Sequence, residues 1–443
     1  MYLNDQLPEQ LDEYIKNGIR KAQKRKRNKM IRRGSGVACF LLLTLFLSAV
    51  RISPAFAAYV SKIPGLEYVV VLIRYNKGLQ SAVENEFIQP VNVSDEHQGI
   101  VLTVKDIIVD NTSMVVFYTI KNSSKHEMPR LTDVNIADAT GSDLEVSFDY
   151  GFTPYEGSEF SGRLNISFPG EEQPNFQIPD SVSLTSKMMV GDPDVLGDDC
   201  LVLGDTWKML IPIDKTKFEN MERKYELDQT VKIAGQKIHF EKAVIYPTRV
   251  SVDLSFDDSN TMEIFAFEDL ALIDEKGNEW GTIQDGVTLI HLSDTRKRIF
   301  FQSNYFTMPE KLLIKGSGIR ALDKDKSELV IDLDSKRILR APDEKTRLKE
   351  LSLGKTSLSM IIELNTQPDW GGASYEFLSW IGKDGLLQEL KRESEGRTTG
   401  REQAYVEYYY KYSFLKPLKS PLRFKISDYP NKIEKQFEVI ILP

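Results

Sequence analysis

The hydrophobic positions of the chain follow two different periods. Near the N-terminus apolar residues recur about every four positions, which predicts an amphipathic helix of about four turns. Its apolar stripe consists of Leu7, Leu11, Tyr14, Ile15 and Ile19. Such a helix is only marginally stable alone in water, so the stripe requires a protein or a membrane surface as its partner. From about residue 95 the period changes to two, which predicts a mainly β protein built from short strands and polar turns.

One long apolar segment separates these two regions. Residues 34–50 carry no charge, and Arg51 follows them. A spanning helix needs about 20 residues, and an arginine near the interface can reach the headgroups, so we predict a transmembrane helix over 34–57. Ala55 and Ala57 match the small-x-small pattern of a signal-peptidase site. A cleaved signal peptide is therefore the alternative, and cleavage used as a regulatory step would satisfy both interpretations.

Charge divides the chain at the same place. Residues 1–33 hold ten basic and four acidic side chains, a net charge of +6, whereas residues 59–443 carry a net charge of −15. The basic side precedes the apolar segment, which predicts a cytoplasmic N-terminus and an extracytoplasmic C-terminus at the cell membrane. The basic residues can lie against anionic membrane lipid at about 1 kcal/mol per charge. Because the membrane already accounts for these charges, we expect no nucleic acid as a partner.

The β region repeats itself. A strand-like run at 113–119 recurs 136 positions later at 249–255, and turns at 138–141 and 274–277 follow at the same offset. A related run begins 108 positions further on, at 357–363. Units of this size predict three immunoglobulin-like β-sandwiches in tandem. The predicted organisation is a basic cytoplasmic head at 1–33, the transmembrane helix at 34–57, a membrane-proximal helical segment at 58–91, and sandwiches at 92–222, 223–337 and 338–443.

The sequence contains no motif that signals catalysis. Its histidines are scattered between different predicted strands and turns, at His97, His126, His239 and His291. The metalloprotease, nucleophile-elbow, phosphate-loop and dinucleotide-binding patterns are all missing from the sequence. We therefore predict that the protein is not an enzyme, with no catalytic residues, no cofactor and no metal site.

Three segments invite a binding interpretation beside a structural one. Four aspartates lie in one predicted turn at 192–199. Their spacing does not match the ligand positions of an EF-hand, so a solvated turn is favoured over a calcium site. The hydrophilic stretch 391–403 is typical of a surface hairpin loop, with a recognition loop as the alternative. Aromatic residues alternate along a third segment, which favours a sandwich core strand over a glycan-binding face. These aromatic residues are Tyr408, Tyr410, Tyr412 and Phe414.

The chain also resembles a known family in several segments. SPAFA at 53–57, KGLQSAVEN at 77–85 and VVFYTI at 115–120 resemble the membrane-proximal domain of an uncharacterised family of single-pass membrane proteins from Gram-positive spore-formers. The run QKIHFEKAVIYPTRVSVDLSF at 236–256 is similar to the second β domain of that family. Members are commonly encoded beside an extracytoplasmic-function sigma factor, so the resemblance implies an anti-sigma-like regulator. The zinc-type anti-sigma motif of His and Cys is missing from residues 1–33, which leaves the helix from Leu7 to Ile19 as the docking element.

Two functions are compatible with this sequence. The first is a membrane signalling protein whose ectodomain senses an envelope condition and whose inner helix restrains a sigma factor. The second is a membrane-anchored structural or adhesive surface protein that contacts cell-wall polymer or an envelope protein. The apolar stripe of the inner helix distinguishes them, because only the first function requires it.

Overall fold

The computed structural model describes residue 69 and residues 72–152, 158–169, 173, 176–191, 201–283, 288–365, 376–381, 390–399 and 405–443. Packing divides the chain into Met1–Tyr75 and Asn76–Pro443, and the strands of the described residues all belong to the second unit. The expected amphipathic helix and the apolar segment 34–57 lie outside the described residues. Among the residues that are described, no helix combines the length and the apolarity needed to cross a membrane.

Helix α1 (Lys77–Glu84) precedes the first sandwich. The strands of the first sandwich are β1 (Gln89–His97), β2 (Ile100–Val109), β3 (Ser113–Asn122), β4 (Arg130–Asp138), β5 (Ser147–Phe152), β6 (Glu159–Ser167), β7 (Ser181–Val190), β8 (Leu201–Val202) and β9 (Trp207–Pro212). One antiparallel sheet has the order β1-β2-β3-β6-β5, and in the other β4, β8 and β9 pair with β7. The buried Trp207 joins the two sheets, because its indole Nε1 donates a 3.0 Å hydrogen bond to the carbonyl of Ile100.

A short 3₁₀ helix (Lys215–Lys217) leads to the second sandwich. Its strands are β10 (Arg223–Ile233), β11 (Gln236–Ile245), β12 (Arg249–Phe256), β13 (Met262–Glu268), β14 (Ala271–Asp274), β15 (Glu279–Gly281), β16 (Leu289–His291), β17 (Arg296–Gln302) and β18 (Leu312–Asp323). One sheet has the order β10-β11-β12-β17-β16, the other β13-β18-β14-β15. Alternate apolar residues of both sheets, such as Phe240, Phe301 and Ile314, share one core.

A second 3₁₀ helix (Lys324–Lys326) leads to the third sandwich. Its strands are β19 (Glu328–Asp332), β20 (Arg337–Arg340), β21 (Thr346–Leu353), β22 (Ser357–Leu364), β23 (Glu376–Ile381), β24 (Leu390–Thr399), β25 (Val406–Phe414) and β26 (Leu422–Asp428). The sheets have the orders β20-β19-β26-β23 and β21-β22-β25-β24, and they enclose one core. The protein is therefore mainly β, as the period of two predicted.

The last strand, β27 (Lys432–Leu442), corrects the predicted domain boundaries. It pairs with β18, and Phe437, Val439 and Ile441 enter the core of the second sandwich. The third sandwich, 328–428, is thus inserted between two adjacent strands of the second, and the predicted division into 223–337 and 338–443 is wrong for 328–337 and for 432–442. The physical reason is that β13 and β14 pair with successive parts of one edge of β18, which leaves its other edge for β27 and its apolar face. Distance along the chain conceals this match.

The first two sandwiches repeat in backbone detail. Five of the residues with a positive φ in the first sandwich have a counterpart with a positive φ 136 positions later in the second. The pairs are Asn92 and Asp228, Gln98 and Ala234, Gly99 and Gly235, Asp133 and Asp269, and Gly141 and Gly277. Left-handed residues mark bulges and tight turns, so both sandwiches bend their strands at the same places. In each of the predicted turns an aspartate, Asp138 or Asp274, accepts backbone hydrogen bonds at its Oδ1.

Candidate functional site

Helix α1 is held by the second sandwich, although the first sandwich follows it in the chain. Asn76 caps the helix by accepting a 3.0 Å hydrogen bond from the amide of Leu79. The amide of Lys77 donates to Oε1 of Gln302 at 2.9 Å, and its Nζ donates to the carbonyl of Glu279 at 2.7 Å. The predicted helical segment 58–91 is corrected at its end, because β1 begins at Gln89, where the side-chain amide pairs with the backbone of Asp214.

Gly78 allows the helix to approach this closely. A Cβ added at Gly78 would lie 2.5 Å from the backbone nitrogen of Ser303 and 2.8 Å from its oxygen. The hydroxyl of Ser303 in turn donates a 2.5 Å hydrogen bond to the carbonyl of Tyr246, at the end of β11. The helix therefore touches backbone that is itself hydrogen-bonded within the second sandwich.

Asp110 joins the first two sandwiches. Its carboxylate, which is 1% exposed, receives hydrogen bonds from both sides of the junction. Oδ1 accepts from the amide and hydroxyl of Thr112 at 2.9 and 2.8 Å, and from the amide of Ser113 at 3.2 Å. Oδ2 accepts from the amide and hydroxyl of Thr248 at 2.7 and 2.6 Å. Because one carboxylate satisfies donors of two sandwiches, they are fixed to each other at this point.

Arg249 strengthens the same junction from the second sandwich. Its guanidinium donates to Oγ1 and to the carbonyl of Thr112, at 3.0 and 2.6 Å, and to Oγ of Ser167 at 3.1 Å. Its Cζ lies 4.0 Å from the centre of the Phe300 ring. The planar guanidinium thus uses both its edge and its face in one buried contact. We call the contacts of Asp110, Thr112, Thr248 and Arg249 the junction network.

A cleft of about 690 Å³ lies beside the junction network. It is within the size range of small-ligand sites and lies at a domain boundary, where such sites are common. Basic groups that line it are engaged within the fold: Arg298 pairs with the buried Asp253 at 2.5 Å, and Lys215 with Asp180 at 2.7 Å. Polar and apolar side chains both line the cleft, among them Gln173, Phe176 and Phe300.

A charged network joins the second and third sandwiches. Arg320 of β18 donates to both carboxylate oxygens of Asp428, each at 3.0 Å, and to Oε1 of Glu268 at 2.7 Å. Lys432 of β27 lies 2.8 Å from Oε2 of Glu268. The chain crosses here twice, after β18 and before β27, and Asn431 pairs with the backbone of Ala321. The double crossing restrains the third sandwich more than a single linker would.

The predicted binding residues have different outcomes. The docking candidates Leu7, Leu11, Tyr14, Ile15 and Ile19 and the cleavage candidates Ala55 and Ala57 lie outside the described residues. The acidic turn at 192–199 lies outside them too. In the part of the chain that the structure describes, no group of His, Cys, Asp or Glu side chains is placed to hold a metal ion.

The aromatic strand is core, as the sequence favoured. Tyr408, Tyr410, Tyr412 and Phe414 are all at most 5% exposed and pack between the sheets of the third sandwich. The predicted surface loop at 391–403 is wrong for most of its length, because residues 390–399 form β24, which pairs with β25. The inner face of β25 is apolar, and such a strand is stabilised when a neighbouring strand pairs with each of its edges. This pairing explains why residues 390–399 form a strand despite their polar composition.

Sequence reasoning missed the junction network. Asp110 and Thr112 stand in a stretch typical of an ordinary turn, and Thr248 and Arg249 stand in its repeat. The signal that would have identified them is that the two turns occupy equivalent positions of neighbouring repeats. They can therefore meet in one buried contact once the sandwiches are side by side.

Two segments of the chain match family models, both of unknown function. Residues 25–122 match a domain of unknown function (DUF4179), and residues 222–348 match a family of unknown function (DUF5643). A solved structure described as the conserved domain protein from Bacillus anthracis is similar at 16% sequence identity. That similarity covers 57% of this chain and 84% of the other chain, with a TM-score of 0.40. No curated protein matches the chain.

Proposed function

We propose that this chain is a single-pass membrane signalling protein, anti-sigma-like, with its N-terminus in the cytoplasm. Its three sandwiches, which we infer to be immunoglobulin-like, form an extracytoplasmic sensing region. In this proposal the apolar segment 34–57 spans the cell membrane, and the helix from Leu7 to Ile19 restrains a sigma factor inside.

The contacts between α1 and the second sandwich are the main support for this proposal. The chain that leaves the proposed membrane span reaches α1 within about twenty residues. Helix α1 is hydrogen-bonded to the second sandwich through Lys77 and packs closely on Ser303 at Gly78. The junction network and the Arg320 network then join all three sandwiches. A ligand or a cleavage that changes the sandwiches therefore acts on a segment tied directly to the chain entering the membrane, as a transmembrane switch requires.

Capture of cytoplasmic proteins from membranes tests the proposal. We expect the full-length chain to retain a sigma factor, identified by mass spectrometry, and the double variant Leu11→Asp, Ile15→Asp to lose it, because two charges disrupt the apolar stripe. The matched control is Gln10→Asp, Asn17→Asp, which adds the same charge at the border of the stripe without replacing any of its apolar side chains and should retain the partner. If both double variants retain the sigma factor, or if the unaltered chain captures none, the docking helix is not a sigma-binding element.

A separate prediction concerns the helix contact. In an isolated helix Gly78→Ala would stabilise by about 1 kcal/mol. Here we expect it to destabilise the docked helix by about 1–3 kcal/mol, because the new methyl group meets the backbone of Ser303. Hydrogen exchange of the amides in 77–84 measures the loss. Gly204→Ala, where an added Cβ meets nothing within 4 Å, should leave that exchange unchanged.

The second candidate function, a membrane-anchored surface protein that contacts cell-wall polymer, is favoured by one particular feature. The outer face of the third sandwich has an open notch over Gly396, beside the ring of Tyr409. Sensing and wall contact are compatible, because a polymer bound outside is one of the signals that such a region can report.

A further inference from the structure

One row of side chains crosses the outer sheet of the third sandwich. Glu350 of β21 is the cross-strand neighbour of Ile361 in β22, Ile361 that of Tyr409 in β25, and Tyr409 that of Gly396 in β24. Ile361 and Tyr409 are half-buried, while Glu350 and Gly396 are exposed. Tyr409 thus lies on the face opposite to the core residues Tyr408 and Tyr410.

The space above Gly396 in this row is open, whereas the space above the comparable Gly162 is filled. In the first sandwich Gly162 is the cross-strand neighbour of Tyr118, and a Cβ added at Gly162 would collide with the Tyr118 ring. A Cβ added at Gly396 meets nothing within 4 Å. Tyrosine rings often cover a cross-strand glycine, and Tyr118 does so, but Tyr409 leaves the space over Gly396 empty.

The hydroxyl of Tyr409 explains why the ring leaves this space. It donates a 2.5 Å hydrogen bond to Oε2 of Glu407, two residues away on the same face of the same strand. Glu407 also accepts from Nζ of Lys349, and these two partners, the lysine foremost, hold the pKa of the Glu407 carboxyl below its ordinary value. The ring is therefore directed along its own strand and is oriented before any ligand arrives.

The resulting groove has a volume of about 320 Å³. Tyr409, Ile361 and Gly396 line it together with Glu350, Ser359 and Lys411. Its volume lies at the lower end of the range of about 300–1,000 Å³ found for small-ligand sites. A hydrophobic floor with a carboxylate, a hydroxyl and an ammonium group around it offers both hydrogen-bond donors and acceptors.

We propose that this groove binds a pyranose ring of a polysaccharide. One face of a pyranose presents C–H groups, which pack on the electron-rich face of an aromatic ring, while the hydroxyls around it need both donors and acceptors. An extended peptide gains its affinity by pairing with a sheet edge, whereas this notch opens on a sheet face. The proposal names the ligand class of the extracytoplasmic region, and it rests on the proposed function only for the side of the membrane on which the sandwich lies.

Filling the notch tests the proposal without weakening the fold. Full-length protein, kept in a detergent without sugar headgroups, is titrated by calorimetry with cellohexaose and chitohexaose. Gly396→Val should reduce the affinity for the sugar that binds by about tenfold, because the new side chain occupies the notch, and Tyr409→Ala by at least that factor through loss of stacking. Gly281→Val is the matched control, since a Cβ there also meets nothing within 4 Å on a strand of the second sandwich, and it should bind as the unaltered chain does.

Each outcome of the titration either supports or overturns the proposed sugar site. The proposed site is supported if Gly396→Val weakens sugar binding about tenfold, Gly281→Val preserves it, and both variants keep the same melting temperature. Binding that is unchanged in Gly396→Val overturns it, as does a chain that binds neither sugar, or one that binds only a non-sugar polymer such as poly-γ-glutamate. The sugar titration and the sigma-factor capture fail independently, so a negative result in one is distinguishable from a negative result in the other.

Discussion

Val439→Asp is expected to unfold the second sandwich while leaving the third folded. Val439 is 0% exposed and is the cross-strand neighbour of Ile314, in a core formed with β12 and β17. An aspartate there loses the apolar contacts and buries a carboxylate without a partner. Together these effects cost about 4 kcal/mol or more, a large part of the stability of a domain.

The neighbouring residue provides the control. Ile440 lies on the opposite face of β27 and is 47% exposed, so Ile440→Asp adds the same charge to the same strand at little cost. Limited proteolysis with mass spectrometry measures the result, and Val439→Asp should expose cleavage sites in 223–323 before any in 328–428. Cleavage confined to 328–428 would instead place β27 with the third sandwich.

Asp110→Ala is expected to destabilise the junction of the first two sandwiches by about 3–5 kcal/mol. The substitution removes the acceptor for the buried amides of Thr112, Ser113 and Thr248, which have little access to water. Donors buried without an acceptor are more costly than the hydrogen bonds themselves were worth. Urea unfolding followed by tryptophan emission measures the loss; Trp207 and Trp280, buried in the first two sandwiches, contribute to this emission beside Trp370 and Trp380.

An equivalent but exposed aspartate separates burial from turn formation. Asp138 accepts hydrogen bonds from Thr140 and Ser142 in the same manner, but its turn faces solvent. Asp138→Ala should therefore cost much less, because water can replace the lost acceptor. Equal losses in the two variants would show that Asp110 acts only in its local turn and does not hold the sandwiches together.

Several strands were predictable, because the residue types and the hydrophobic period that favour a strand are properties of neighbouring residues. Short runs rich in apolar, β-branched and aromatic residues identified β3, β12 and β22, and the recurrence of a motif at a constant offset predicted that the first two sandwiches are alike. The backbone repeats even where side chains differ, as at Gln98 and Ala234, because the φ of a tight hairpin is set by the geometry of the turn. The aromatic run of β25 was assigned to the core by the same reasoning.

Other features depended on contacts between distant residues. The polar composition of β24 predicted a loop, and its strand structure is supported by hydrogen bonds to β25. Glu407 and Tyr409 carry no sequence signal of a site. The notch exists because the Tyr409 hydroxyl bonds to Glu407, while Gly396 comes from another strand.

The sequence by itself determined the mainly β character, the repeat, and the division of charge and hydrophobicity between a basic head, an apolar segment and an acidic β region. These properties follow from the chemistry of neighbouring residues, since strand period, turn residues and charge are all read within a few positions. Only the tertiary structure decided that β27 closes the second sandwich, that α1 rests on Ser303, and that Asp110 binds Thr248. Each of these contacts joins residues more than a hundred positions apart. Such pairings are selected by the shape and the unsatisfied hydrogen bonds of surfaces that exist only after the strands have assembled.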